Sequence, residues 1–138
     1  MEVATKTKEG KKKVMIIDDN EIDIFINQKV LEFNNFASEI INIQAAQNAI
    51  DQLKSSKIED IPNLIFLDLN MPIMDGFRFL YEFSLLPDEV RAKIKIVVLT
   101  SSDNSNDKEK VAANADVLTY ISKPLTDQKL SEIASMLD

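Results

Sequence analysis

Four short apolar runs in this 138-residue chain each end in a polar group capable of chemistry. Leu64-Ile65-Phe66-Leu67 ends in Asp68, followed by Leu69-Asn70-Met71-Pro72 and then Asp75-Gly76. Val14-Met15-Ile16-Ile17 ends in Asp18-Asp19, and Ile94 to Leu99 ends in Thr100-Ser101. Val117 to Ile121 leads to Lys123-Pro124. Continuous apolar runs of this length read as buried strands. Carboxylates, a hydroxyl and an amine therefore stand at the carboxyl ends of four strands, the edge where an open parallel sheet binds ligands. Three acids close together repel one another unless a divalent cation neutralises them, and oxygen ligands of this kind suit magnesium. One of the acids could then carry a group as a nucleophile.

Between the strands the pattern changes to helical spacing. Asn20 is placed to cap a helix in which Ile22, Phe25, Ile26, Val30 and Phe33 recur as an apolar stripe, and Asn34-Asn35 breaks it. Glu39 to Gln44 reads as the next strand, with Ile41 and Ile43 alternating against polar neighbours, and Ala45 to Ser56 as a helix built on Ala49, Ile50 and Leu53. Ile61-Pro62-Asn63 is a turn before the strand Leu64 to Asp68, which is apolar on both faces and therefore central. A helix from Asp75 carries Phe77, Leu80, Tyr81 and Leu85, and Pro87 ends it. After the strand Lys95 to Thr100 comes a highly polar helix over Asn104 to Asn114, with Val111 and Ala112 as its few apolar contacts. Thr126 caps a last helix with Leu130, Ile133, Ala134 and Leu137 inward. Strands alternating with helices give a doubly wound α/β sheet of parallel strands with helices on both faces, because each crossover is right-handed. The expected division is a disordered polar tail over 1–12 and one domain over 13–138, with no room for an output domain after it.

Composition narrows the function classes. A formal net charge of -7 argues against a nucleic-acid partner, which needs a basic stripe, and against an anionic membrane surface. No apolar stretch is long enough to span a bilayer, and Met1 to Lys13 lacks the apolar core of a secretory signal. The chain has no cysteine, which excludes disulfides and thiolate chemistry and fits a reducing, cytoplasmic location. It has no histidine, so it cannot itself carry phosphohistidine.

Asp18-Asp19, Asp68-Leu69-Asn70-Met71-Pro72 with Asp75-Gly76, Thr100-Ser101 and Lys123-Pro124, in that order and each at a strand end, resemble the receiver domain of two-component response regulators. The resemblance runs from about Lys13 to Leu137. It implies five strands in the flavodoxin-like order 2-1-3-4-5. It implies Asp68 as phosphoacceptor, Asp19 as a direct magnesium ligand and Asp18 as one acting through water, with the Asn70 backbone carbonyl completing the protein ligands. Lys123 would place a charge on the phosphoryl oxygens, Thr100 would donate its hydroxyl to them, and Tyr120 matches the family's switch aromatic. The Lys123-Pro124 peptide is often cis in the family. Two departures stand out: Asn114-Ala115 where the family commonly has Gly-Ala, and an unusually polar stretch over Ser101 to Asp107.

The expected function is that of a stand-alone response regulator. It would take a phosphoryl group from the phosphohistidine of a histidine kinase or histidine phosphotransfer protein and act on a downstream protein target. It is a signalling switch with partly self-catalysed transfer and dephosphorylation rather than an enzyme. A phosphorylation-independent interaction module of the same fold would be expected to lose some of Asp18, Asp19, Asp68, Thr100 and Lys123, all of which are present. A haloacid dehalogenase-like phosphatase would need an acid where Asn70 stands, because an amide cannot protonate a leaving group. A flavodoxin-like cofactor binder would want a hydroxyl- and glycine-rich loop where Asp18-Asp19 would repel phosphate.

Overall fold

The computed structural model describes residues 12–101 and 104–137. The polar tail expected over 1–12 lies, apart from Lys12, outside the described residues, as do Ser102 and Asp103 of the polar stretch. Five strands, β1 (Lys12–Ile17), β2 (Ala37–Ile43), β3 (Leu64–Leu67), β4 (Lys95–Thr100) and β5 (Val117–Ser122), form one sheet in the order β2-β1-β3-β4-β5. Every neighbouring pair is parallel. This is the flavodoxin-like arrangement expected from the resemblance. Among the described residues six α-helices flank it, α1 (Glu21–Phe33), α2 (Ala46–Ser55), α3 (Gly76–Ser84), α4 (Asp88–Lys93), α5 (Ser105–Ala112) and α6 (Asp127–Leu137), with a short 3-10 turn over Ile58–Asp60. No helix among the described residues is long and apolar enough to cross a membrane.

The two faces of the sheet carry separate cores, because side chains alternate along a strand. Met15, Ile17, Ile65, Leu67, Ile96 and Val98 meet Ala49, Ile50 and Leu53 of α2, Phe79 and Phe83 of α3 and Val111 of α5. Val14, Ile16, Leu64, Phe66, Val97, Leu99 and Ile121 meet Ile24 and Leu31 of α1 and Leu130 and Ile133 of α6. All four residues of β3 are buried, as its unbroken apolar run requires of a central strand.

Two helices present a different face from the one expected. α1 buries Ile24, Asn27 and Leu31, whereas Ile22, Phe25 and Phe33 of the expected stripe are 70%, 60% and 80% exposed. The segment is apolar nearly all round, and the stripe that meets the sheet includes a polar residue, Asn27. α3 buries Phe79, Leu80 and Phe83, leaving Tyr81 and Leu85 exposed and Phe77 half-buried. Pro87 does not end that helix: Leu85 is its C-cap, and Pro87 is the N-cap of α4, which was not expected. α4 is charged at four of its six positions, with Asp88 and Glu89 in its first turn and Arg91 and Lys93 in its last, the distribution that complements a helix dipole. Strand β2 begins two residues earlier than expected, at Ala37.

Several local expectations hold. The Asn20 side chain accepts hydrogen bonds from the backbone N–H of Ile22 (2.9 Å) and Asp23 (3.0 Å), capping α1. Asn34 is the C-cap of α1, and Asn35 has φ 50°, the left-handed conformation that asparagine tolerates. Thr126 Oγ1 accepts from the N–H of Lys129 at the start of α6 (3.2 Å).

Candidate functional site

Parallel pairing brings the four strand ends together. The Asp18 N–H donates to the carbonyl of Ile43 (3.1 Å), and the Asp68 N–H donates to the carbonyl of Ile17 (3.0 Å). Both acids thus continue the ladder one step beyond their strands and lie side by side. On the other flank the Lys123 N–H donates to the carbonyl of Thr100 (2.9 Å). The Lys123-Pro124 peptide is cis, and it follows β5 directly.

Carboxylate oxygens of Asp18, Asp19 and Asp68 lie within 4.8 Å of one another. Asp18 and Asp68 are buried, and Asp19 is exposed. Asp18 Oδ1 accepts from the Asn20 N–H (2.9 Å), and Asp68 Oδ1 accepts from the Asn70 N–H (3.3 Å). Three hard oxygen donors at the open edge of a sheet fit a divalent cation such as magnesium, which keeps part of its own water shell. Burial pushes the Asp68 carboxyl up to about 6; the Lys123 charge opposes the shift, and the Asp18 and Asp19 charges add to it.

Lys123 reaches into this pocket. Its Nζ is 2.6 Å from Asp23 Oδ2, 2.9 Å from Asp18 Oδ2 and 3.7 Å from Asp68 Oδ2. Burial disfavours its charged form, but the hydrogen bonds to Asp23 and Asp18, with the charges of Asp18 and Asp68, outweigh that and hold its pKa above the ordinary lysine value. Thr100 is fully buried at the end of β4, and the Asn70 side-chain amide donates to its Oγ1 (3.4 Å). Tyr120 stands two residues back along β5, half-buried against the core, with the Lys108 ammonium 5.8 Å from its ring centre. It therefore lies beside the pocket rather than in it.

Gly76 works by close approach. A Cβ there would sit 2.7 Å from Leu69 Cα and 2.8 Å from the Asp68 carbonyl, atoms of the backbone that cannot yield. Its N–H also donates to the Leu69 carbonyl (2.9 Å), so α3 starts hard against the loop that carries Asp68. In that loop Ile73 has φ 69° and a fully exposed side chain.

The structure places Asp18, Asp19, Asp68, Asn70, Thr100 and Lys123 at one edge of the sheet, and Asp23, which was not among the expected site residues, joins them there. The available signal was an acid in the first turn of α1, five residues after Asp18. Such an acid is ordinarily explained by the helix dipole alone.

Fold and pocket together define a flavodoxin-like α/β protein with an acidic cluster, a lysine and a buried hydroxyl at the carboxyl edge of its sheet. The model of the response regulator receiver domain matches residues 14–135, and the chain belongs to that family. It is 35% identical over 99 residues to response regulator Rcp1 of Synechocystis sp., a match covering 70% of this chain and 66% of Rcp1. It is 28% identical over 116 residues to hybrid signal transduction histidine kinase E of Dictyostelium discoideum, covering 84% of this chain but only 6% of the kinase. The crystal structure of a response regulator receiver protein from Dyadobacter fermentans superposes with a TM-score of 0.80 at 33% identity, covering 89% of this chain and 94% of that one. The manganese-bound form of Rcp1 superposes with a TM-score of 0.70 at 30% identity, covering 88% of each chain.

Proposed function

We propose that this chain is a response regulator that accepts a phosphoryl group on Asp68 from the phosphohistidine of a histidine kinase or histidine phosphotransfer protein in the cytoplasm. The observation that carries the reading is the placement of Asp68. It ends the buried central strand, its carboxylate is grouped with those of Asp18 and Asp19, and a lysine ammonium lies 3.7 Å away.

An Asp68 oxygen attacks the phosphorus in line. The phosphorus–nitrogen bond of the donor breaks, its electron pair returns to the imidazole, and an acyl phosphate forms on Asp68. Lys123 holds a phosphoryl oxygen as a point charge, and the Thr100 hydroxyl donates to another. Hydrolysis then ends the modified state: water attacks the phosphorus, the Asp68 carboxylate leaves, and inorganic phosphate is released. A magnesium ion bound by Asp18, Asp19, Asp68 and the Asn70 carbonyl would cancel the repulsion between the acids and the incoming phosphoryl oxygens. Tyr120, half-buried between β5 and α5, is the residue through which the change reaches a downstream protein.

The decisive test is intact mass after incubation with magnesium and acetyl phosphate. The wild-type chain should gain one phosphoryl group, and Asp68→Asn should gain none. A phosphoryl mass on Asp68→Asn refutes the assignment of that residue. A wild-type chain that never gains it favours an interaction module that works without phosphorylation.

A further inference from the structure

Lys123 has three N–H donors, and its shortest contact is not with the acid that it would serve. Asp23 Oδ2 lies 2.6 Å from Nζ, against 3.7 Å for Asp68 Oδ2. Asp23 stands outside the trio whose oxygens are close enough to share a cation. It projects from the first turn of α1, where its own N–H is already fixed by the Asn20 cap, so its carboxylate is aimed by a held backbone. The pair is largely shielded from water, with the Lys123 side chain 14% and the Asp23 side chain 31% exposed.

We propose that Asp23 is a positioning residue for Lys123. Its carboxylate, with that of Asp18 2.9 Å from the same Nζ, holds the ammonium closer to itself than to Asp68 in the unphosphorylated protein and surrenders it to the phosphoryl oxygens when Asp68 is modified. The inference rests on the reading of Asp68 as phosphoacceptor. An interaction shifts an equilibrium by the difference between its strengths in the two states. The Asp23 contact is made in the unphosphorylated state and must be weakened or shared when Lys123 turns to a dianionic group on Asp68. Asp23 therefore opposes phosphorylation, and removing its charge should favour it. A part-shielded ion pair of this kind corresponds to a change of about three- to tenfold in the equilibrium.

The test uses the full chain with magnesium and beryllofluoride, a mimic of the phosphoryl group, titrated by calorimetry. Asp23→Asn should bind beryllofluoride about three- to tenfold more tightly than wild type, and Asp23→Glu, which can still reach Lys123, should return towards the wild-type affinity. Glu21→Gln removes one charge from the same helical turn without touching Lys123 and should stay within about twofold of wild type. Magnesium affinity measured without beryllofluoride should fall equally little in Asp23→Asn and Glu21→Gln. Unchanged or weaker beryllofluoride binding in Asp23→Asn overturns the latch, as does an equal gain in Glu21→Gln. A selective loss of magnesium binding in Asp23→Asn makes Asp23 a metal ligand and overturns it as well. These outcomes presuppose a wild-type chain that binds beryllofluoride; one that neither binds it nor takes a phosphoryl group from acetyl phosphate overturns both the latch and the phosphoacceptor reading.

Discussion

At the scale of single residues, Asp68 is held at a cost to the fold. Its carboxyl is pushed up to about 6, chiefly by burial, from an ordinary value of 3.8. A raised pKa means that the folded state keeps its proton more tightly than the unfolded chain does. The favourable contribution is therefore complete below about pH 4 and is lost as pH rises through about 6. In metal-free buffer at pH 7, Asp68→Asn should be more stable than wild type by about 1–2 kcal/mol, after allowance for screening by water. The gap should close between pH 6 and pH 4, as followed by urea denaturation. Constant spacing of the two curves across that range would mean that Asp68 is not the group that titrates. Ile73 carries a second local cost. A β-branched residue at φ 69° is strained, and its fully exposed side chain gains nothing in return. Ile73→Asn should stabilise the chain by about 1 kcal/mol, since asparagine enters the left-handed region more readily. The midpoint of urea unfolding measures it, and an unchanged midpoint would show that the loop relaxes around isoleucine at no cost.

At the scale of elements, α1 separates what the sequence shows from what packing decides. Seven of its thirteen residues are apolar, at Ile22, Ile24, Phe25, Ile26, Val30, Leu31 and Phe33, so more than one stripe satisfies helical spacing. The stripe used runs through Ile24, Asn27 and Leu31. Leu31→Ala should cost about 2–5 kcal/mol, because it opens a cavity beneath the sheet. Phe25→Ala and Phe33→Ala should each cost less than about 1 kcal/mol, despite removing larger side chains. Thermal or denaturant melts of the three variants settle the order, and a Phe33→Ala as damaging as Leu31→Ala would put that face against something. The strands were legible because their apolar runs are continuous and their ends chemically marked. Helix α4 was not, since it buries none of its residues and carries no apolar periodicity; its signal was the order of its charges. The site was legible for the same reason as the strands: residues one step past a parallel strand must meet at one edge. Asp23 was hidden because its partner, Lys123, is 100 residues away in sequence, and only the assembled fold brings them together.

At the scale of the whole molecule, the pocket and the surface that would report on it are joined by β4 and β5. Thr100 pairs with Ser122, and Val98 pairs with Tyr120, so the hydroxyl and the aromatic ring lie one strand repeat apart on neighbouring strands. Thr100 is fully buried, and the Asn70 amide from the β3–α3 loop donates to its Oγ1. A phosphoryl group on Asp68 would be a new, anionic acceptor for that hydroxyl. On the proposed reading, drawing Thr100 towards Asp68 would free space beside β4, and Tyr120, packed only partly into the core, would turn into it. The turn would withdraw the ring from the Lys108 ammonium and so change the outer surface of α5 and β5. Coupling of this kind needs a group that makes different contacts in the two states, and on the proposed reading Thr100 would be that group. Thr100→Ala should therefore still be phosphorylated on Asp68, while the amide shifts of Val117 to Ser122 on adding beryllofluoride shrink to a small part of their wild-type size. Equal shifts in both proteins would route the signal elsewhere, through Lys123, which directly follows the end of β5.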